Sequence, residues 1–408
     1  MGKEIYNWTK HNASPRQVRP ANLSVQIDNE TFRDGLQGTQ VACHPEIEQI
    51  FVYLDELAAR RYSEHLDIGF PASGPRHRDQ IVTLVNYASN QGHDLTFSVA
   101  GRGAAVDDVK AILEVSDKVG QPLEADLFLD ASTLRARVEG WDRDTKLGQL
   151  RKNIELVKAH GNPVMFVPER ASETSPEELF QACKIAADSG VDRIAIADTN
   201  GVLNPIGTTN IFRAIFDEVG SKYPEVKFDF HEHEDLGMGR ANCVVAATEG
   251  VDRLHATSRG IGERAGNVDL EKLLVVLALN GLRDVDMSQI QKFTQMAADI
   301  FSVPIQSHES IVGPESTATA SGVHASGYAK DRSIYSPYPN GPEDVGLTRR
   351  TSIGPLSSLS NVYAFCEQWG IESPTEERAR EILDLAKDRW GLLSKDDVKS
   401  VLGRNGHS

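Results

Sequence analysis

Phe228-Asp229-Phe230-His231-Glu232-His233-Glu234-Asp235-Leu236-Gly237 reads as a buried strand running out into a loop. Residues two apart in an extended chain point to the same side, so His231 and His233 aim together and Glu232 and Glu234 aim the other way. Two imidazoles converging at a strand end make half of a divalent-metal site. A merely solvated His-x-His explains the pattern equally well when the stretch is taken alone. Its place decides the matter: it is the seventh of eight similar strand ends.

The strand-like runs are Leu23–Ile27, His65–Phe70, Leu95–Ala100, Leu123–Leu129, Val164–Val167, Arg193–Ala197, Val226–Phe230 and Arg253–Thr257. Helical patterns separate them. Pro45–Arg61 carries Ile47, Ile50, Phe51, Leu54 and Leu57 at helical spacing. Others fall at 76–91, 105–117, 143–160, 175–189, 205–222, 239–249 and 269–281. Eight strand–helix units in strict alternation predict an α/β protein, a (β/α)8 TIM barrel, over an open sheet. Asp28–Gly38 also lacks the glycine-rich turn of a dinucleotide-binding sheet. Several strands are nearly all apolar, as expected when both faces are covered.

Around the barrel at 23–283, residues 1–22 read as an N-terminal arm with Pro15 and Pro20. A helix is expected at 287–303, within a linker or lid region over 284–350 whose residues 305–350 are rich in Ser, Gly and Pro. Helices at 357–369, 375–391 and 395–402 make a small C-terminal domain over 351–408.

The 408 residues are 40% hydrophobic and 25% charged, as in an ordinary globular protein. The net charge of −16 argues against nucleic-acid and anionic-membrane partners. No 18-residue apolar run occurs, and Cys43, Cys183, Cys243 and Cys366 form no C-x-x-C pair. Those features predict a cytoplasmic protein in a reducing compartment.

Barrel enzymes work at the C-terminal ends of their strands. Here those ends carry Arg33, Asp34 and Gln37, then Asp67, Arg102, Asp130 with Ser132, Glu169, Asp198-Thr199-Asn200, the two histidines, and Gly260 through Asn267. Asp34, His231 and His233 supply one carboxylate and two imidazoles. With Asn267 or waters they would complete a site for Mg²⁺, Mn²⁺, Co²⁺ or Zn²⁺. Such an ion polarises a substrate carbonyl, and Arg33 beside Asp34 would face the developing charge. Each residue alone has a plain alternative: Asp34 and Asp198 suit turns, and Glu263–Arg264 suits a surface ion pair.

Together these segments resemble a known family. Thr31-Phe32-Arg33-Asp34-Gly35-Leu36-Gln37, Ile68-Gly69-Phe70-Pro71-Ala72-Ser73, Ala197-Asp198-Thr199-Asn200-Gly201, His231 through Gly237 and Gly260-Ile261-Gly262-Glu263-Arg264-Ala265-Gly266-Asn267 are similar to the metal-dependent synthase and lyase barrels. That group includes isopropylmalate, homocitrate and citramalate synthases and hydroxymethylglutaryl-CoA lyase. Ser321-Gly322-Val323-His324, Lys330-Asp331, Tyr335 and Pro342-Glu343-Asp344-Val345-Gly346 resemble the synthases' linker.

The resemblance implies a Claisen-type condensation of an acyl-CoA, acetyl-CoA being the expected donor, with a 2-oxo acid in a homodimer. Asp34, His231 and His233 would hold the metal, with Asn267 as a further ligand. Arg33 would stabilise the enolate or alkoxide, Thr199 would bind the oxo-acid carboxylate, and Glu169 would line the site. Gln37, Arg102 and Ser132 would contact substrate, while His324 and Tyr335 handle protons. The rivals are a lyase or aldolase cleaving a 3-hydroxy acid or its CoA thioester, and a barrel that only binds ligand. Leu36 stands where synthases carry Glu, Ala320 where they carry the partner of the linker His, and Arg135 where they carry His. Arg76, His77, Arg102 and Arg135 suggest an unusually anionic acceptor.

Overall fold

The computed structural model describes residues 6, 8–11, 17–41, 43–331 and 334–403. Eight parallel strands close a barrel in sequence order. They are β1 (Gln26–Asn29), β2 (His65–Asp67), β3 (Thr96–Arg102), β4 (Glu124–Leu129), β5 (Val164–Pro168), β6 (Arg193–Asp198), β7 (Lys227–Glu232) and β8 (Arg253–Ala256). Closure runs through β1 and β8, where Gln26, Ile27, Asp28 and Asn29 pair with Arg253, Leu254, His255 and Ala256.

Helices α1 (Ile47–Arg60), α2 (Pro75–Gln91), α3 (Val106–Val119), α4 (Thr133–Glu139), α5 (Arg143–His160), α6 (Pro176–Asp188), α7 (Pro205–Ile215), α8 (Gly239–Glu249) and α9 (Leu270–Leu279) follow the strands. Their starts are written locally. Ser175 accepts from the Glu178 N–H with Pro176 in the first turn, and Asp269 accepts from the Lys272 N–H. The expected helix at 205–222 changes after Ile215 into a π turn, Phe216–Gly220. The short α4 lies where no helix was expected.

The apolar core is the layer between strands and helices, with Ile27, Leu66, Val99, Leu127, Phe166, Ile196, Phe230 and Leu254 all buried. Both faces of the strands are covered, and the inner one is polar. Alternate strand positions point inward and are charged: Asp28, Glu124, Asp126, Asp229, Arg253 and His255 are all buried. Arg253 on β8 reaches across to Glu124 on β4 at 2.6 Å and holds Asp229 at 2.7 Å. Ion pairs of this kind compensate one another's desolvation and contribute little net stability. Among the described residues Asp126 has no ion pair of this kind: burial pushes its carboxyl well above the usual range, and the Ser98 hydroxyl offsets this only in part.

In the expected N-terminal arm, Trp8 is buried and donates its indole N–H to the Ala171 carbonyl. By contact density the chain divides into Met1–Val285 with Met296–Val303, and Asp286–Gln295 with Pro304–Ser408. Helix α10 (Ile290–Phe301) contributes to both sets of residues. The second unit holds a two-stranded pair, β9 (Ala318–Thr319) with β10 (Arg350–Thr351), and α11 (Gly322–Tyr328). It also holds α12 (Leu359–Gln368), α13 (Glu376–Arg389) and α14 (Lys395–Leu402), which enclose Val362, Phe365, Ile382, Ala386 and Val398. Among the described residues no helix is long and apolar enough to cross a membrane.

Candidate metal centre and active site

The parallel register brings the end of β7 beside the turn after β1. Asp34, His231 and His233 are all buried there, and one ligand atom of each lies within 4.8 Å of the others. The two Nε2 atoms stand 3.2 Å apart, and Asp34 Oδ2 is 3.7 Å from His233 Nε2. Glu30 explains the orientation of His231. Its carboxylate lies 3.2 Å from Nδ1, so it accepts that N–H and turns the Nε2 lone pair toward the triad. The Glu30 carboxyl, though buried, is held well below its ordinary range by Arg33, His231 and His255. Burial, with His231 adjacent, pushes His233 down to about 4, so its imidazole is neutral and able to ligate.

Other carboxylate–histidine groups lie deeper, among them Asp28, Asp229 and His255. Guanidinium and imidazolium groups fill those: Arg253 contacts Asp229, Glu124 and Asp28, and Glu30 and Asp229 raise His255 to about 10 despite burial. The Asp34 triad instead gathers the two imidazole Nε2 atoms and Asp34 Oδ2 around one point. Its donor set fits a divalent cation with exchangeable positions.

Asn267 joins the triad as a donor: its amide N–H groups reach Asp34 Oδ2 at 2.6 Å and the Ile261 carbonyl at 3.0 Å. The glycines around it are obligatory. A Cβ on Gly262, at φ +149°, would lie 2.2 Å from the Asn267 amide nitrogen. One on Gly266, at φ +94°, would meet the Gly260 carbonyl at 1.9 Å.

Arg33 is clamped on three sides. Nε donates to Asp67 at 2.7 Å, one terminal nitrogen to Asp34 at 3.0 Å, and the other to Glu30. Burial lifts Asp67 to about 7 against the pull of Arg33. Glu30, Asp67 and His255 therefore hold the site, yet only Asp67 stood out in the sequence. The usable signal for Glu30 and His255 was period-two alternation, Asp28 with Glu30 and Arg253 with His255.

Thr199 follows β6 and accepts the Arg170 N–H at 2.9 Å, which leaves its own hydroxyl proton to give. Glu169 follows β5, half-buried, and burial together with Asp130 raises its carboxyl. Gln37 is exposed and donates to the Arg33 carbonyl at 3.1 Å. Two expected substrate contacts also have partners within the protein. Arg102 grips Asp108 with two bonds of 2.8 Å, and Ser132 caps α4 while donating to Asp130 at 2.6 Å. Arg135 pairs with Glu139, and His77 accepts the Phe70 N–H. The arginine–histidine set that suggested an anionic acceptor is thus largely committed within the protein.

In the second unit His324 lies exposed on α11, with Nδ1 3.5 Å from the Thr319 hydroxyl. Its ring stacks on Tyr335 at 4.2 Å and 27°. Tyr335 has φ +59°, and its carbonyl accepts from the Tyr328 hydroxyl at 2.7 Å.

A closed parallel barrel with this triad at its mouth defines a class of barrel enzyme with a carboxylate–bis-imidazole centre. The model of the HMGL-like family matches residues 24–299, and the chain belongs to that family. It is 30% identical over 382 residues to the 2-isopropylmalate synthase of Saccharolobus solfataricus, covering 92% of this chain and 95% of that one. It is 31% identical over 396 residues to the homocitrate synthase of Sulfolobus acidocaldarius, covering 94% and 80%. Among solved structures it is similar to the HMG-CoA lyase of Bacillus subtilis, with a TM-score of 0.57 and 16% identity over 70% of this chain and 96% of that one.

Proposed function

We propose that this chain is a divalent-metal-dependent synthase that joins an acyl-CoA to a 2-oxo acid and releases CoA. The observation that carries the reading is the Asp34–His231–His233 triad locked against Arg33 by Glu30 and Asn267. The synthase relatives, similar along nearly the whole chain, support the direction of the chemistry.

A divalent cation held by the triad would supply Lewis-acid polarisation of the acceptor's keto group. Thr199 donates a hydrogen bond from its hydroxyl to the oxo-acid carboxylate. Arg33, kept charged by three carboxylates, faces the negative oxygen formed during C–C bond formation, in a fixed orientation that costs no reorganisation. His324 is the base for the acyl methyl, and Tyr335 packs its ring in place. Burial and the neighbouring Asp130 raise the Glu169 carboxyl, which lines the site.

The test is thiol release from acetyl-CoA by metal-reconstituted protein across a panel of 2-oxo acids, with products read by mass spectrometry. Release that depends on one acceptor and stops on chelation supports the synthase. Cleavage of a 3-hydroxyacyl-CoA without condensation supports the lyase, a reading the fold of the HMG-CoA lyases also accommodates.

A further inference from the structure

A cavity of about 240 Å³ opens beside Arg33, between the turn after β1 and the start of α2. Phe32, Ile68 and Leu84 are buried in its wall, and the half-buried Leu36 and Phe70 complete it. Two imidazoles also line it, but each has a nitrogen engaged with the backbone. The Phe70 N–H donates to His77 Nε2 at 3.0 Å, and His44 Nε2 donates to the Leu36 carbonyl at 3.1 Å. What the cavity offers is therefore mainly carbon.

Its side of Arg33 matters. The triad approaches Arg33 through Asp34, from β1 and β7, whereas the cavity lies on the β1–β2 side. If the acceptor sits on the triad with its carboxylate toward Thr199 on β6, the other substrate meets Arg33 from the cavity side. A cavity of roughly 150 Å³ lined by Leu, Ile and Phe takes up benzene, so this larger one can hold several carbons. An acetyl group would leave it unfilled.

We propose that this cavity binds an aliphatic tail on the acyl-CoA donor, making the preferred donor an unbranched acyl-CoA longer than acetyl. The inference rests on the synthase reading above. In the reaction the donor's α-C–H bond breaks, its proton goes to the base, and its electron pair forms the bond to the keto carbon. The keto oxygen takes the π pair and then a proton, and water cleaves the thioester to a carboxylate and free CoA thiol. The alkyl tail stays on the donor's former α-carbon, in the Leu36–Phe70 cavity throughout.

The experiment compares acetyl-, butyryl- and hexanoyl-CoA against the same panel of 2-oxo acids, using the full-length metal-loaded protein. Wild type should favour butyryl- over acetyl-CoA by about tenfold or more in kcat/KM, the scale of discrimination that methylenes in an apolar pocket supply. Leu36→Trp, which fills the cavity, and Leu36→Glu, which charges it, should each reduce that ratio toward one. A preference for acetyl-CoA overturns the proposal. So does a chain-length dependence that follows the acceptor and not the donor. If no donor releases thiol with any acceptor, the synthase reading fails, and calorimetry still decides the cavity's role. Hexanoyl-CoA binding about tenfold tighter than acetyl-CoA, and losing that advantage in Leu36→Glu, sustains the tail site; equal affinities end it.

Discussion

The barrel mouth and the segment around His324 are built in opposite ways. At the mouth, Asp34, His231 and His233 are buried, and each neighbour is itself held: Glu30 fixes His231, Asn267 fixes Asp34, Asp67 fixes Arg33. In the second unit His324 is exposed, the Thr319 hydroxyl lies 3.5 Å from its Nδ1, and its ring stacks on Tyr335. The first arrangement is preorganised, as charge stabilisation requires. The second leaves an imidazole open to solvent, which suits the proposed role as base. The difference separates two jobs, and substitutions should separate them too.

The largest effect is expected from removing a triad member. His231→Ala or Asp34→Asn should abolish metal retention, measured by elemental analysis, and lower turnover by more than about 100-fold. His324→Ala should cost about 10²–10⁴-fold in turnover, the range for losing a general base, while metal content and oxo-acid affinity stay at wild-type values. Loss of metal from the His324 variant would erase the proposed division of labour.

A finer probe acts one step behind the ligands. Glu30→Gln keeps size but loses the charge that His231 and His255 face, so metal affinity should fall about 10–100-fold in a competition titration.

The smallest effect lies below the site and concerns stability. Burial raises the Asp126 carboxyl, so the folded state prefers it protonated and loses stability as pH rises above its unfolded value. Asp126→Asn should therefore stabilise the protein by about 1–3 kcal/mol at pH 8 and by nothing near pH 4, by denaturant unfolding. A gain that is the same at both pH values would mean that ionisation of Asp126 is not the cost.

Much of the mouth was legible because strand ends recur at a fixed interval and side chains alternate within strands. His231 with His233, and Asp34 after β1, follow from those two periodicities alone. The barrel interior was not legible by the same rule. Phe228-Asp229-Phe230 looks like an apolar run with one interruption, yet Asp229 is the inward residue and anchors Arg193 and Arg253. Charges that meet only across the barrel, such as Arg253 with Glu124, have no local signature. Helix α11 was missed for a different reason: Gly322 and Gly327 weaken its helical signal within a Ser- and Gly-rich stretch. The internal partners of Arg102 and Ser132, Asp108 and Asp130, were not legible, because a polar residue at a strand end shows no partner in the sequence.

The central claim is that the Asp34–His231–His233 centre, once loaded, is where the 2-oxo acid binds. Calorimetric titration of the oxo acid that supports thiol release tests it directly, comparing Mn²⁺-loaded protein, chelated protein and loaded His233→Ala. The account predicts measurable binding to the loaded wild type only. Equal affinity for the chelated protein would contradict it, because the acceptor would then be held without the centre to which its activation is assigned.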